Sequence, residues 1–255
     1  MPDDGSQKIE YRSPQDTTLT LPPMKTGAWF WVSVVLLSLI FIMGIIGFVW
    51  RWQSGWGDRA IWGYYAATFS FLLSTAQTAP VVSVGLRLVA GPWRRPLARP
   101  AELFALVGIL NLLWFIPLLN ILPATQGKRT IWIISTVPTQ LWETMALAVL
   151  VTCGLGLLYF ASLPDIATAR EKSSEKLGAV KQLSFSWKGN LTQWRTLQLG
   201  LLFLGVGYFI SLTFQQTLFA SDFGLSLVPG WKDALFPAYH IVSSLQAGTA
   251  LLTVS

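Results

Sequence analysis

One cysteine and one histidine are all that 255 residues offer for haem or iron–sulfur ligation. Cys153 alone excludes a disulfide within the chain and cannot hold an iron–sulfur cluster. His240 alone excludes a haem held by two histidines of this chain. Any electron carrier must therefore diffuse in or belong to a partner. Charge is scarce as well. Asp, Glu, Lys and Arg make up 12% of the residues, about half the ~25% usual in soluble domains. No Gly-rich phosphate loop, metal-ligand cluster or catalytic triad is present, so no soluble-enzyme chemistry is expected. The net charge of +6 sits in short loops beside apolar runs and does not point to nucleic acid.

Apolar sequence fills the space that charge leaves. Hydrophobic residues make up 53% of the chain, with 13 Trp, and the mean hydropathy is +0.52. The composition predicts an all-α integral membrane protein with about six transmembrane helices. Residues 1–26 are polar and read as an extramembrane tail, without the basic start and small-residue cleavage site of a signal peptide. The first span is expected at 27–50, with Trp29, Trp31 and Trp50 as interfacial anchors.

The second span covers roughly Ile61–Val89, where Gly63, Ser70, Ser74 and Gln77 share a face and Pro80 introduces a kink. A loop containing Arg94, Arg95 and Arg99 leads to the third span, about Ala101–Leu122. Arg87 and Glu102 flank that loop and can pair, as a proton entry or as an interfacial clamp. The fourth span is followed by a basic loop at 164–195, the fifth span by a sixth that starts near Leu235. Thirteen cations lie on the side of the N-terminal tail and five on the other, which places the N-terminus in the cytoplasm.

The most informative stretch is Thr130–Pro164, an apolar run with one carboxylate, Glu143, near its middle. A charge at bilayer depth costs roughly 2.5–3.5 kcal/mol on insertion scales, so such a residue faces a partner or a wet interior. Thr136, Thr139 and Gln140 precede it by seven, four and three residues, which predicts a polar stripe entering from outside. Glu143 is then either a proton carrier or a helix-to-helix hydrogen bond. Asp222, Asp58 and Asp233 lie near loops on the same side. His240 opens the sixth span with Ser243 and Ser244 on its face, as an interfacial anchor or a proton acceptor.

An internal repeat links the two ends. The segment from Gly55, GWGDRAIWGYYAATFSFLLSTAQTA, parallels GWKDALFPAYHIVSSLQAGTALLTV from Gly230. Trp56 matches Trp231 and Asp58 matches Asp233; with one residue of slip Ser70 matches Ser244. Residues 55–220 are read as a four-helix-bundle repeat, and 221–255 as the start of a second, truncated copy.

WGYYAATFSFLLSTAQTAPVVSVGLRL, WRRPLARPAE, SLPDIATARE and SLVPGWKDALFPAY resemble the polysulfide-reductase/NrfD-like integral membrane family. The similarity is greatest to the ActF-type subunit of bacterial alternative complex III, a quinol:electron-acceptor oxidoreductase. The resemblance implies two four-helix bundles in the bacterial cytoplasmic membrane. It implies partners as well: an NrfD-like paralogue, iron–sulfur subunits and cytochrome c subunits carrying haem, with menaquinol or another quinol nearby. Within such complexes the chain looks more like the proton-conducting or scaffolding paralogue than the quinol holder. On that reading Glu143, Gln140, Thr136, Thr139, His240, Asp222, Arg87 and Glu102 are proton-path candidates. His240 and Ser244 are the quinone-contact candidates. No cofactor of its own is expected. A purely structural membrane anchor and a secondary transporter remain as other readings of the same polar residues.

Overall fold

The computed structural model describes residues 27–55, 59–89, 94–120, 138–172, 187–225 and 233–255. The described residues are helical, with no strand among them. They fall into two units, 1–55 and 56–255. The first contains α1, Ala28–Gln53, whose apolar run leaves few polar groups to satisfy. Its Ser33 and Ser38 hydroxyls fold back onto the carbonyls of Trp29 and Val34 at 2.9 and 2.8 Å. Such back-bonding is how a hydroxyl is tolerated in an apolar helix.

The second unit comprises α2 (Arg59–Ser74), α3 (Ala79–Val89), α4 (Arg94–Leu103), α5 (Val107–Leu118), α6 (Thr139–Lys172), α7 (Leu191–Phe219) and α8 (Phe236–Val254). Among the described residues five helical stretches are long and apolar enough to cross a membrane: Ala28–Gln53, Trp62–Val89, Leu97–Leu118, Thr139–Thr168 and Leu191–Gly224. The architecture fits a multi-pass membrane protein. α8, at the position of the expected sixth span, is a shorter helix of 19 residues.

Proline shapes the second span more sharply than a kink. α2 stops at Ser74 and α3 starts at Ala79, with a turn over 75–78. Pro80, second in α3, has no N–H, and its ring would crowd a preceding helical carbonyl. The Val81 amide bonds the Thr78 carbonyl at 3.0 Å instead of that of Gln77. The Gln77 carbonyl is thereby freed, and the Tyr208 hydroxyl of α7 donates to it.

Large side chains, not small ones, make the buried seam of α2. Trp62, Phe69 and Leu73 are at most 2% exposed, while Gly63 points away, with nothing near the place of a Cβ. Gly63 itself is thus turned from the core, while Ser70, which approaches His240 of α8, and Gln77, 1% exposed, turn inward. Phe69 meets Phe115 of α5 and Phe219 of α7 with ring centroids 5.3 and 5.2 Å apart. α6 and α7 form the longest seam of the unit. They touch closely where the Tyr208 ring covers Gly154, since a Cβ there would lie 2.9 Å from the ring.

The third span carries its own irregularity. Three residues of tight 3-10 helix, Phe104–Leu106, join α4 to α5. An unbroken α-helix would set Glu102 and Asn111 on opposite sides. The tighter turn advances each residue by about 120° rather than 100°, closing some 60° of that separation. Glu102 and Asn111 are both buried, 1% and 0% exposed.

Candidate functional site

Glu143 is fully buried, but not at the middle of its helix. α6 begins at Thr139, after Pro138, and Glu143 lies in its second turn. Thr136 and the rest of 130–137 lie outside the described residues. Of the expected stripe, Thr139 is buried at 4% exposure and shares the Glu143 face. Gln140 is exposed and does not join it. The seam with α7 takes the i−4 neighbour and leaves the i−3 neighbour outside.

Two groups of α7 and its continuation meet Glu143. Gln215 donates its Nε2–H to Glu143 Oε2 at 2.8 Å. The Asp222 carboxyl adjoins Glu143, and Asp222 is itself 2% exposed. Asp222 is held inward by a single wide π-helical turn, Ala220–Gly224, that extends α7. Turns of this kind recur at functional sites. The two acids form one buried two-carboxyl site.

Next to it runs a belt of amides and hydroxyls. Gln216 donates to Thr78 Oγ1 at 3.4 Å, and its Oε1 lies 2.8 Å from the Ser244 hydroxyl of α8. The same hydroxyl reaches the carbonyl of His240 at 2.6 Å. His240 Nε2 lies 3.4 Å from Ser70 Oγ, while Nδ1 meets no protein partner. Of the two quinone-contact candidates, Ser244 is thus committed inside the bundle. His240 alone offers a group to a ligand.

Arg87 and Glu102 do pair, and they lie at the far end of the bundle from Glu143. Arg99 joins them, 3.4 Å from Glu102 and 2.7 Å from Asp165, and donates to the Ala161 carbonyl at 2.5 Å. Ala161 follows Glu143 by eighteen residues of α6, about 27 Å of helix. The bilayer's hydrocarbon core is about 30 Å thick. The sequence candidates therefore separate into a carboxyl pair at one end and an ion network at the other.

Gln77, Tyr208, Gln215 and Gln216, all buried, were not among the site candidates. Gln215–Gln216 was the legible signal: two adjacent amides inside an apolar helix. Asp58 lies outside the described residues, and Asp233 binds the amide of Leu235 at 2.9 Å as a local turn cap.

The fold and the site define an all-α protein of the multi-pass kind, with buried acid groups at both ends of one helical unit. No family model matches the chain, and no curated protein matches it.

Proposed function

We propose that this chain is a proton-conducting membrane subunit of a quinol:electron-acceptor oxidoreductase similar to alternative complex III. The observation that carries the reading is the pair of buried carboxyls, Glu143 and Asp222, with Gln215 donating to Glu143. Buried acid groups inside a membrane-spanning unit are costly and are kept where they move protons or bind a partner. The quinol and electron-acceptor part of the proposal rests on the sequence resemblance quoted above. Haem and iron–sulfur clusters would belong to partner subunits, and an NrfD-like paralogue would hold the quinol. Among the described residues no three metal-ligating side chains of His, Cys, Asp or Glu converge. In that arrangement Glu143 and Asp222 pass a proton at one end, and Glu102 receives or releases it at the other, relieved by Arg87 and Arg99.

Glu143→Gln keeps the size and hydrogen-bonding of the side chain but removes its titration. Assembly and quinol-dependent electron flow should persist, while protons moved per electron fall by half or more. Proton release by the reconstituted complex measures this. An unchanged ratio in a stably assembled variant would assign Glu143 to helix packing and leave the scaffold reading.

The cation bias of the loops assigns the Glu102 end to the bacterial cytoplasm. In a Cys153→Ser background, Arg95→Cys should react with an impermeant maleimide only after the cells are opened. Labelling of intact cells would reverse the direction of the path.

A further inference from the structure

We infer that a buried water is bound between Gln77 and Asn111, midway between the carboxyl pair and the ion network. As a relay this water rests on the proton-conduction reading; as a bound water it does not. Gln77 and Asn111 are 1% and 0% exposed. Gln77 Nε2 and both amide atoms of Asn111 meet no protein hydrogen-bonding group. A buried amide without a partner carries its full desolvation penalty, and native interiors meet such groups with water.

The geometry locates the site. Gln77 Nε2 lies over Gly108 of α5, in the space that a Cβ would fill. Asn111 follows Gly108 by three residues on the same helix, so its Cβ stands about 5–6 Å away along that face. No hydrogen bond joins the two amides, and one water, which needs two to four polar partners, would meet both. The water accepts from Gln77 Nε2–H and donates to Asn111 Oδ1.

Gln77 is also tied to the next polar group. The Tyr208 hydroxyl donates to its carbonyl and lies 3.5 Å from its Oε1. The sequence explains why the site is here. Pro80 breaks the second span, which turns Gln77 inward, and Gly108 leaves room for its amide. Beyond this level the packing is mainly apolar, with Val84 against Gly205 and Ala105 against Gly154, apart from Ser83, whose buried hydroxyl folds back onto the Pro80 carbonyl at 2.9 Å. From Gly108 to Glu102 is about 10 Å of helix.

Radiolytic hydroxyl-radical labelling tests this, because bound water generates radicals that oxidise the side chains beside it. The experiment uses membranes containing the full chain and millisecond X-ray exposure. Tyr208 and Phe115, 0% and 1% exposed, should be oxidised despite their burial, at rates near that of exposed Tyr64. Asn111→Leu should lower labelling of both at least fivefold and leave Tyr64 unchanged. Asn111→Val serves if the leucine variant does not fold. Absence of labelling at Tyr208 and Phe115 in the unmodified protein overturns the site, as does undiminished labelling in a folded Asn111 variant. Glu143→Gln should leave this labelling intact. A failure of the water site is therefore separable from a failure of the proton-path reading.

Discussion

Glu102→Ala is expected to lower stability by about 3–5 kcal/mol, the usual cost of removing one partner from a buried ion pair. The carboxylate is 1% exposed and meets Arg87 and Arg99, whose side chains are 24% and 42% exposed. Without it, Arg87 is held at the α3–α4 junction with no counter-charge. Arg99 keeps Asp165 and the Ala161 carbonyl, so the loss falls mainly on the Arg87 side. Partial snorkelling of Arg87 toward the interface would soften the effect toward the lower figure. Replacing both partners by apolar residues should cost less than removing one, because no charge is then stranded. The comparison to make is thermal inactivation of Glu102→Ala beside Arg87→Met/Glu102→Leu. Equal loss in both would mean that packing volume, not charge, holds this corner.

The same residues show what a sequence can and cannot reveal. Glu102 and Arg87 were legible because they flank one short basic loop, so proximity follows from chain connectivity. Glu143 was legible because a lone carboxylate in an apolar run has few explanations. Its depth was not, because that depends on where the helix starts, and Pro138 starts it only one residue before Thr139. Asp222 was visible only as a loop-side acid. Its inward turn comes from one wide helical turn whose extra residue leaves no periodic mark in the sequence. Gln140 shows the reverse error. Three-residue and four-residue spacings both place side chains near one face, and only the register of α6 against α7 decides between them.

The second span shows how local chemistry can outrun pattern. Thr75-Ala76-Gln77-Thr78-Ala79-Pro80 announces a disturbance through its proline, yet a kink and a full break read alike in sequence. What distinguishes them is the Tyr208 hydroxyl waiting on a helix far along the chain to take the freed carbonyl. Buried hydrogen bonding in an apolar unit is settled between elements. The Ser70–His240 approach and the Gln216–Ser244 bond are of the same kind. Individually none of those residues is unusual. Their pairing is a property of the packed helices.

Gly248→Leu should be the most disruptive small change in the unit. α8 rests on the broken span at this residue. A Cβ there would stand 3.0 Å from the Ala79 nitrogen, the Thr78 carbonyl carbon and Thr78 Cβ. Two of those three atoms are backbone at the very point where α3 begins, so no rotamer can make room. Overpacking commonly costs about 1–3 kcal/mol, and more where the obstacle is backbone. The leucine should therefore push α8 off the unit rather than compress it. Displacement would part Ser244 from Gln216 and His240 from Ser70, since both contacts depend on α8 lying where it does. Gly248→Ala, which only has to win a few tenths of an ångström, should be far milder. A disulfide cross-link between cysteines placed on α2 and α8 would report the displacement directly, forming in the parent and the alanine variant but not in the leucine variant. If the leucine variant still cross-links at the parental rate, α8 can slide on the broken span, and its contacts with the polar belt are not fixed by Gly248.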